Sequence, residues 1–382
     1  MPFASLGLSD SFLSELTARG YATPTPIQSA VIPSVIQGKD VLGIAKTGSG
    51  KTASFVLPIL HRLLLAPPTN HREPSVLVLV PTRELADQVR GVFEDFLKVL
   101  PARLHSLAVY GGVSINPQMQ AIGNVDVLVA TPGRLIELIE KKAVKLSSVT
   151  TLVLDEADKM LNLGFKEEMD TLLKKLPKSR QNLLFSATLS PDVSTIRDQW
   201  LKEPEVIEIK EDESVDTFDL IQQIGYFVPQ EKKGPLLRYL IKEGNLKQVL
   251  VFASSVHKVD GIVNKLLKNG IDASAVHAKL GQQARRQTLR EFKAGEIQVL
   301  VATDLLARGI DIEFLPCVIN YELPRSPKDY IHRIGRTGRA ESPGDAISLV
   351  APEERHHFKV IQKKMGKRVP IRYSEDINLH GY

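Results

Sequence analysis

The sequence predicts an α/β protein of two tandem domains, each a mostly parallel sheet flanked by helices. Three observations carry this expectation. Short apolar runs rich in β-branched residues alternate with longer stretches of helical periodicity, the pattern of repeated strand–helix–strand units. The runs form two sets: "DVLGIA", "SVLVLVP", "VDVLVAT", "TLVLDEAD" and "NLLFSAT" in the first half, "QVLVFASS", "IQVLVAT", "CVINYEL" and "DAISLV" in the second. The halves also echo each other. Asp126–Arg134 reads "DVLVATPGR" and Gln298–Gly309 reads "QVLVATDLLARG", each ending a strand in Ala-Thr before a loop that holds an arginine.

Length and composition agree. A chain of 382 residues accommodates two domains of ordinary size. Hydrophobic content of 43% and charged content of 24% are those of a soluble globular protein. The net charge of +5 permits a polyanionic partner. Cys317 is the only cysteine, which excludes an intrachain disulfide and a cysteine-based metal cluster. The start, "MPFASLGLSDSF", lacks a basic n-region, and apolar runs such as "VLVLV" are strand-sized, too short to cross a bilayer. The expected compartment is the cytoplasm, with no membrane partner. The acidic stretch "EIKEDESVDTFDL" has no helical periodicity and reads as a linker, placing a boundary near Glu211. The expected domains are residues 1–210 and 211–370, followed by a short tail, 371–382.

The first chemistry-bearing segment is "AKTGSGKT". Ala45, Lys46, Thr47, Gly48, Ser49, Gly50, Lys51 and Thr52 lie between a predicted strand and a predicted helix. A glycine-rich turn there lets backbone N–H groups approach phosphate oxygens, helped by the helix dipole. Lys51 is placed to reach β/γ-phosphates, and the Thr52 hydroxyl to sit on Mg²⁺. Ala45 stands where the general pattern has glycine. The bland alternative is a Gly/Ser turn that happens to precede Lys-Thr; the strand–loop–helix context favours phosphate. The second segment is "LVLDEADKM". Asp155, at a strand end, can hold a metal through water, and Glu156 can orient and deprotonate an attacking water. Alone, an acidic pair before a helix is ordinary capping and dipole compensation. Downstream of a phosphate loop, the metal and base reading prevails.

Asp155-Glu156-Ala157-Asp158 spells the signature of the DEAD-box RNA helicases of superfamily 2, and the chain resembles that family along nearly its whole length. "GYATPTPIQ", Gly20–Gln28, is similar to the family's adenine-reading Q motif, with Phe3 as its upstream aromatic. "PTRELADQ", Gly111-Gly112, "TPGR", "SAT", "VFASS", "QQARR", "ATDLLARGID" and "HRIGRTGR" follow in the family's order. Ala278 after His277 departs from the family's usual His-Gly pair. The resemblance implies two RecA-like domains and an ATP-dependent RNA helicase, an RNA-stimulated ATPase using ATP and Mg²⁺. Within the family the chain is most similar to bacterial minimal RhlE-like members. Partners implied are RNA, bound largely without regard to sequence, and protein cofactors.

The same resemblance assigns individual residues. Gln28, whose amide offers one acceptor and two donors, pairs with adenine, and Phe3 or Tyr21 stacks on it. By position alone Phe3 is a terminal core anchor and Gln28 a surface residue. "YIHRIGRTGRA" sets Arg333, Arg336 and Arg339 at every third position beside His332 with no acid in the run, which by itself is a solvated basic face or an anion site. The family pattern makes Arg336 and Arg339 fingers for the γ-phosphate, supplied by the second domain, and puts His332 in the adjoining hydrogen-bond network. Arg333 is left structural. Gly309 and Asp311, in "RGID", belong to the nucleotide site, with Asp311 at the ribose. Ser186 and Thr188 couple ATP to unwinding. RNA backbone contacts fall to Pro81, Thr82, Arg83, Gly112, Thr131, Pro132, Gly133 and Arg134 in the first domain. In the second they fall to Arg285 and Thr303, with Arg286 and Lys293 as helpers. Taken singly, each of these is a cap or turn residue. A clamp that uses ATP to hold RNA as an assembly platform, with little unwinding, uses the same motifs.

Overall fold

Strands of the type Val-Leu-Val-Leu set the architecture. The computed structural model describes residues 2–46, 48–66, 73–98, 104–209, 221–303, 315–338 and 344–382. The chain divides into two units, Met1–Glu211 and Asp212–Tyr382. The first holds β1 (Val41–Ile44), β2 (Val76–Leu79), β3 (Ser106–Val109), β4 (Val127–Ala130), β5 (Thr151–Leu154), β6 (Gln181–Ser186) and β7 (Glu205–Glu208). The second holds β8 (Ile221–Phe227), β9 (Val249–Phe252), β10 (Ala273–Val276), β11 (Val299–Ala302), β12 (Cys317–Asn320), β13 (Gly344–Val350) and β14 (Ile371–Tyr373).

Each unit is built on one seven-stranded sheet. The orders are β3-β4-β2-β5-β6-β1-β7 and β10-β11-β9-β12-β13-β8-β14, and every strand pair is parallel. Counted from its own first strand, the second sheet repeats the order of the first. The two Ala-Thr echoes, β4 and β11, occupy the same place, second from an edge.

Parallel sheets covered by helices on both faces need strands that are apolar on both sides. Alternation then divides each strand between two cores. Val76, Val78, Val127 and Val129 enter one core of the first unit; Leu77, Leu79, Leu128 and Ala130 enter the other. In the second unit Val249, Val251, Val299 and Val301 lie on one face, and Leu250, Phe252, Leu300 and Ala302 on the other. Hydroxyl residues start the helices that follow: Thr82, Ser190, Ser255 and Ser326 accept N–H bonds from Leu85, Val193, Lys258 and Asp329.

Residues 371–382, expected as a tail, are part of the second unit. Ile371–Tyr373 pairs with β8 at the sheet edge, Ile377 and Leu379 pack on its core, and Tyr382 meets Tyr239 edge-on at 5.2 Å. Apolar burial by these residues holds the segment down. Among the described residues no helix is long and apolar enough to cross a membrane.

The β1–β6 contact leaves no room at Gly43. A Cβ there would lie 2.6 Å from the Phe185 ring, which is fully buried and packed against Phe55 with ring centres 5.2 Å apart. Gly43→Ala is therefore expected to cost about 1–3 kcal/mol through overpacking. Urea unfolding checks this, and a wild-type midpoint would refute the close approach.

Candidate functional site

The sheet order sorts the motif loops into two neighbouring rows. In a parallel sheet, ligand loops follow the carboxyl ends of the strands. Beyond β3, β4 and β2 lie Gly111-Gly112, Thr131–Arg134 and Pro81–Arg83; beyond β5, β6 and β1 lie Asp155-Glu156, the turn after Ser186, and the Ala45–Thr52 loop. The predicted backbone-binding residues thus share one half of the first sheet's end, and the predicted phosphate and acid residues share the other.

The Ala45–Thr52 loop connects β1 to the helix Lys51–Leu65. Gly48 and Gly50 have φ of 75° and 93°, a region that favours glycine. A Cβ on Gly50 would also strike the Gln28 amide at 2.5 Å. Ala45 is buried, and its N–H donates to the Ser186 carbonyl, joining β1 to β6. Ser49 Oγ donates to the Lys46 carbonyl at 2.9 Å. Thr47 lies outside the described residues. Lys51 is buried and donates to the Ala45 carbonyl. Burial pushes its pKa down, while Asp155, Glu156 and Asp158 pull it back up.

Asp155 follows β5 directly and is 3% exposed. Burial, then the neighbouring Glu156, push its pKa up to about 6 against the opposing charge of Lys51. Its Oδ1 accepts the Glu156 N–H at 2.9 Å. Glu156 itself occupies the left-handed region, φ 55° and ψ 48°, at the cap of the helix Ala157–Asn162. A non-glycine residue there carries about 1–3 kcal/mol of strain and persists only where its surroundings fix it. Lys159 Nζ fixes it by pairing with Oε1 at 2.6 Å, leaving Oε2 buried with no partner.

Two residues given no role of their own by the sequence tie this row together. Asp158 is buried and accepts from Thr188 Oγ1 at 3.3 Å, while Ser186 Oγ donates to the Thr188 carbonyl at 2.8 Å. The Ser186–Thr188 turn is therefore bonded to the acidic segment. Lys159, the other unassigned residue, holds Glu156. Only their place inside and just after the acidic signature pointed to them.

Gln28 is buried, not a surface residue as its position alone suggests. It closes a capping box with Thr25: its Oε1 accepts the Thr25 N–H at 3.0 Å, and its Nε2 donates to the Gly50 carbonyl at 3.2 Å. One N–H and one lone pair remain for a base edge. Phe3 is 5% exposed and packs edge-on against Tyr21 at 6.3 Å. It is the core anchor that its position suggests; Tyr21, partly buried, has more surface to offer a ring.

In the other row, arginines brace the loops. Arg83 Nη1 donates to the Gly112 carbonyl at 3.4 Å, and a Cβ on Gly112, whose φ is 75°, would overlap the guanidinium at 1.9 Å. Arg134 is buried; its Nη2 donates to the Val113 carbonyl at 2.8 Å and its Nε to Glu137 at 2.9 Å, with Nη1 unpartnered. Thr82 and Thr131 cap helices, and Pro132 occupies a first-turn position. Pro81 and Gly133 border the same loops.

In the second unit, Thr303 follows β11 and Arg285 is buried in the first turn of the helix Gln282–Lys293. Arg333, on the helix Pro327–Ile334, points inward: Nη1 donates to Asn320 Oδ1 at 2.9 Å and to the Glu322 carbonyl at 2.6 Å, and its Cζ lies 4.9 Å from the Phe252 ring centre. The structural reading of Arg333 fits this placement. His332 lies in the last turn of that helix, and Arg336 is buried just beyond it. Gly309, Asp311 and Arg339 lie outside the described residues.

Comparison with known proteins agrees with this layout. Residues 25–196 match the DEAD/DEAH box helicase family and residues 232–341 the helicase conserved C-terminal domain. The chain is 39% identical over 366 residues to a protein named ATP-dependent RNA helicase DeaD from Buchnera aphidicola, covering 96% of this chain and 60% of that protein's length. It is 40% identical over 369 residues to a DEAD-box ATP-dependent RNA helicase CshA from Bacillus cereus, covering 96% of this chain and 69% of that one. Saccharomyces cerevisiae Dbp5 bound to RNA and ADP BeF3 superposes with a TM-score of 0.82 at 30% identity, over 98% of this chain and 96% of that one. A DEAD box protein from Methanococcus jannaschii gives 0.54 at 34% identity, over 97% and 99%. Two repeated parallel sheets, motif loops in two rows at one sheet end, and this identity across both halves place the chain in the DEAD-box family of ATP-dependent RNA helicases.

Proposed function

We propose that the chain is an RNA-stimulated ATPase that couples ATP hydrolysis to RNA binding and local duplex unwinding. The adjacency of the two loop rows at one end of the first sheet carries this reading. It puts a phosphate loop with buried acids beside a row of backbone carbonyls, hydroxyls and braced arginines suited to a sugar–phosphate chain. Relatives named as ATP-dependent RNA helicases, and a structural neighbour holding both RNA and a nucleotide, support it.

In this reading Lys46, Gly48, Ser49 and Gly50, with Thr47, wrap the phosphates, and Lys51 exchanges the Ala45 carbonyl for a β/γ-phosphate oxygen. Gln28 and Tyr21 take the adenine. The residues fit Mg²⁺: Thr52 offers a hydroxyl in the first helical turn, Asp155 a buried carboxylate, and Glu156 Oε2 is a buried oxygen with no protein partner. When bound, Mg²⁺ supplies positive charge to the phosphate oxygens. Glu156 orients the attacking water and accepts its proton. We assign Arg336 and Arg339 to the developing charge on the γ-phosphoryl, His332 to the network beside them, and Gly309 and Asp311 to the nucleotide. Pro81, Thr82, Gly112, Thr131, Pro132 and Gly133 contact the RNA backbone, with Thr303 and Arg285 contributing from the second unit. Arg83 and Arg134 hold the loops for that contact. Ser186 and Thr188, through Asp158, link the acids to the neighbouring turn.

The direct test is steady-state ATPase alone, with single-stranded RNA, and with DNA of the same sequence. Strong stimulation by RNA and little by DNA is expected; equal stimulation by both would overturn RNA as the preferred substrate. Glu156→Gln is expected to bind nucleotide and RNA normally while turnover of bound ATP falls about 10²–10⁴-fold. Normal single-turnover hydrolysis would remove Glu156 from the base role.

Asp155 yields a prediction with a definite sign. Its folded pKa, about 6, lies above the ordinary carboxyl value of 3.8, so between these values the folded state binds more protons. Stability of the nucleotide-free protein therefore falls as pH rises through this window and stays low above about 6. Asp155→Asn should stabilise the nucleotide-free protein at pH 7.5 by about 1–3 kcal/mol and lose the extra stabilisation given by Mg²⁺ with ATP. Thermal unfolding with and without ligand measures both. A destabilised variant would show that Asp155 is not held against its own desolvation.

A further inference from the structure

The protein's basic excess is local. Of its 49 Lys and Arg, seven fall between Arg355 and Arg372, where there is no Asp or Glu. The other 42 face 44 acids, so outside this stretch the chain is net negative. These residues form the helix Arg355–Met365, the turn after it, and the edge strand β14. None of them belongs to the motifs described above.

Phe358 and Ile361 seat the helix on the core, which leaves Arg355, Lys359, Lys363 and Lys364 exposed, with Arg368 and Arg372 following. Lys359 and Lys363 are one helical turn apart, where like charges repel. A solvated helix face usually interleaves signs; here, among the described residues, no acid pairs with Lys359, Lys363, Lys364 or Arg368. Of the flanking acids, Glu354 is already engaged by the buried Lys233 at 2.7 Å. Glu353 before the stretch, and Glu375 and Asp376 after it, are exposed.

Aromatic surface accompanies the charge. Arg355 Cζ lies 4.4 Å from the Phe227 ring centre, Phe227 meets Tyr373 edge-on at 5.7 Å, and Tyr373 is 48% exposed. Arg372 Nη1 donates to the Tyr226 hydroxyl at 3.4 Å. Cations beside an exposed ring are the components of single-strand binding: charge for the backbone, a face for a base. Apart from Tyr373, Val360 is the one large apolar residue of the stretch left exposed, at 39%, too little for membrane insertion.

We propose that this face is a second RNA-binding surface, gripping the sugar–phosphate backbone of RNA beyond the segment held by the motif loops, with Tyr373 stacking an unpaired base. The inference rests on the RNA reading above. The surface is separate from the motif row: β14 lies five strand spacings from β11, which precedes Thr303, or about 24 Å. It therefore lengthens the RNA footprint without touching the ATPase residues.

The test uses the full chain and fluorescent RNA of two lengths, about 10 nucleotides, within the reach of one binding groove, and about 30. One variant combines Lys359→Gln, Lys363→Gln, Lys364→Gln and Arg368→Gln. A charge-retaining control combines Lys359→Arg, Lys363→Arg, Lys364→Arg and Arg368→Lys. The neutral variant is expected to bind the long RNA about 10-fold or more weakly, with the log–log salt slope reduced by about 3. Its affinity for the short RNA and the ATPase rate at saturating short RNA should be unchanged, and the control should match wild type. Tyr373→Ala is expected to weaken long-RNA binding without changing the salt slope. Long-RNA affinity unchanged in the neutral variant would overturn the proposal. So would loss of binding to polyglutamate with RNA binding intact, which would assign the face to an acidic protein. A wild type that neither binds nor responds to either RNA would instead bring down the RNA reading itself, and this surface with it.

Discussion

A buried lysine and buried carboxylates at the ends of strands β1 and β5, with β6 between them, form the constraint on which the first unit depends. Lys51 lies behind the phosphate loop where burial disfavours its charge, and Asp155, Glu156 and Asp158 offset that in part. Asp155 in turn is kept from full protonation chiefly by Lys51. Each charge offsets part of the other's desolvation, and Glu156 and Asp158 share that task for Lys51. The residue numbers of Lys51 and Asp155 differ by about a hundred, so only the order β5-β6-β1 brings the two together. The close approach at Gly43 and the Ala45–Ser186 bond hold β1 and β6 in register, and the left-handed Gly50 pressed against Gln28 ties the loop to the helix Pro26–Ile36. Ring packing, loop conformation and capping box converge on one electrostatic arrangement.

The second unit shows what the same topology looks like when its charges are closed internally. A helix begins at Lys233 after β8, as one begins at Lys51 after β1, and β12 runs out just before Tyr321-Glu322, as β5 does before Asp155-Glu156. Lys233 is fully buried, yet its ammonium donates to Glu354 at 2.7 Å and to the Tyr321 carbonyl at 3.0 Å. Glu322 accepts from Lys258 and from the Ser254 N–H, and Arg333 covers its carbonyl. Among the described residues at this sheet end, Lys233, Glu322 and Arg333 each have a protein partner. In the first unit, among the described residues, Lys51 has only a carbonyl as hydrogen-bond acceptor, and Glu156 keeps an oxygen with no partner. The contrast separates side chains closed on one another from side chains that keep hydrogen-bonding capacity in reserve.

Much of this was legible in the sequence, and the omissions have a common cause. The nine strands expected are those buried on both faces, where continuous apolar runs are obligatory. The five additional strands are the edges β3, β7, β10 and β14, together with β8 beside an edge. "SLAV", "EVIE" and "ASAV" carry no such run because an edge strand is not packed on every side. Motif loops were legible because the topology leaves the carboxyl ends of strands as the place for them. Side-chain direction was not. Arg134 shares a residue type with the exposed cations, but faces Val113 inside its unit. The docking of residues 371–382 was hidden as well, since Ile377, Leu379 and Tyr382 are spaced without any period.

The braced arginines give the two loop rows different mechanical characters. Gly112 has no space for a side chain because Arg83 fills it, and Val113 is held by Arg134 from below. The Gly111–Val113 segment, which follows β3, is thus fixed from the loops after β4 and β2, so its backbone is held within the protein itself. Preorganisation of this kind lowers the entropic cost of binding and suits recognition of a repetitive backbone, where every contact is alike. The phosphate row is preorganised in backbone but not in charge: its lysine is turned onto a carbonyl and its glutamate onto Lys159. A ligand entering there must exchange those partners. On the function proposed above, one row would recognise by shape already in place and the other would respond to what binds it, the division that an enzyme linking nucleotide chemistry to a polymer requires.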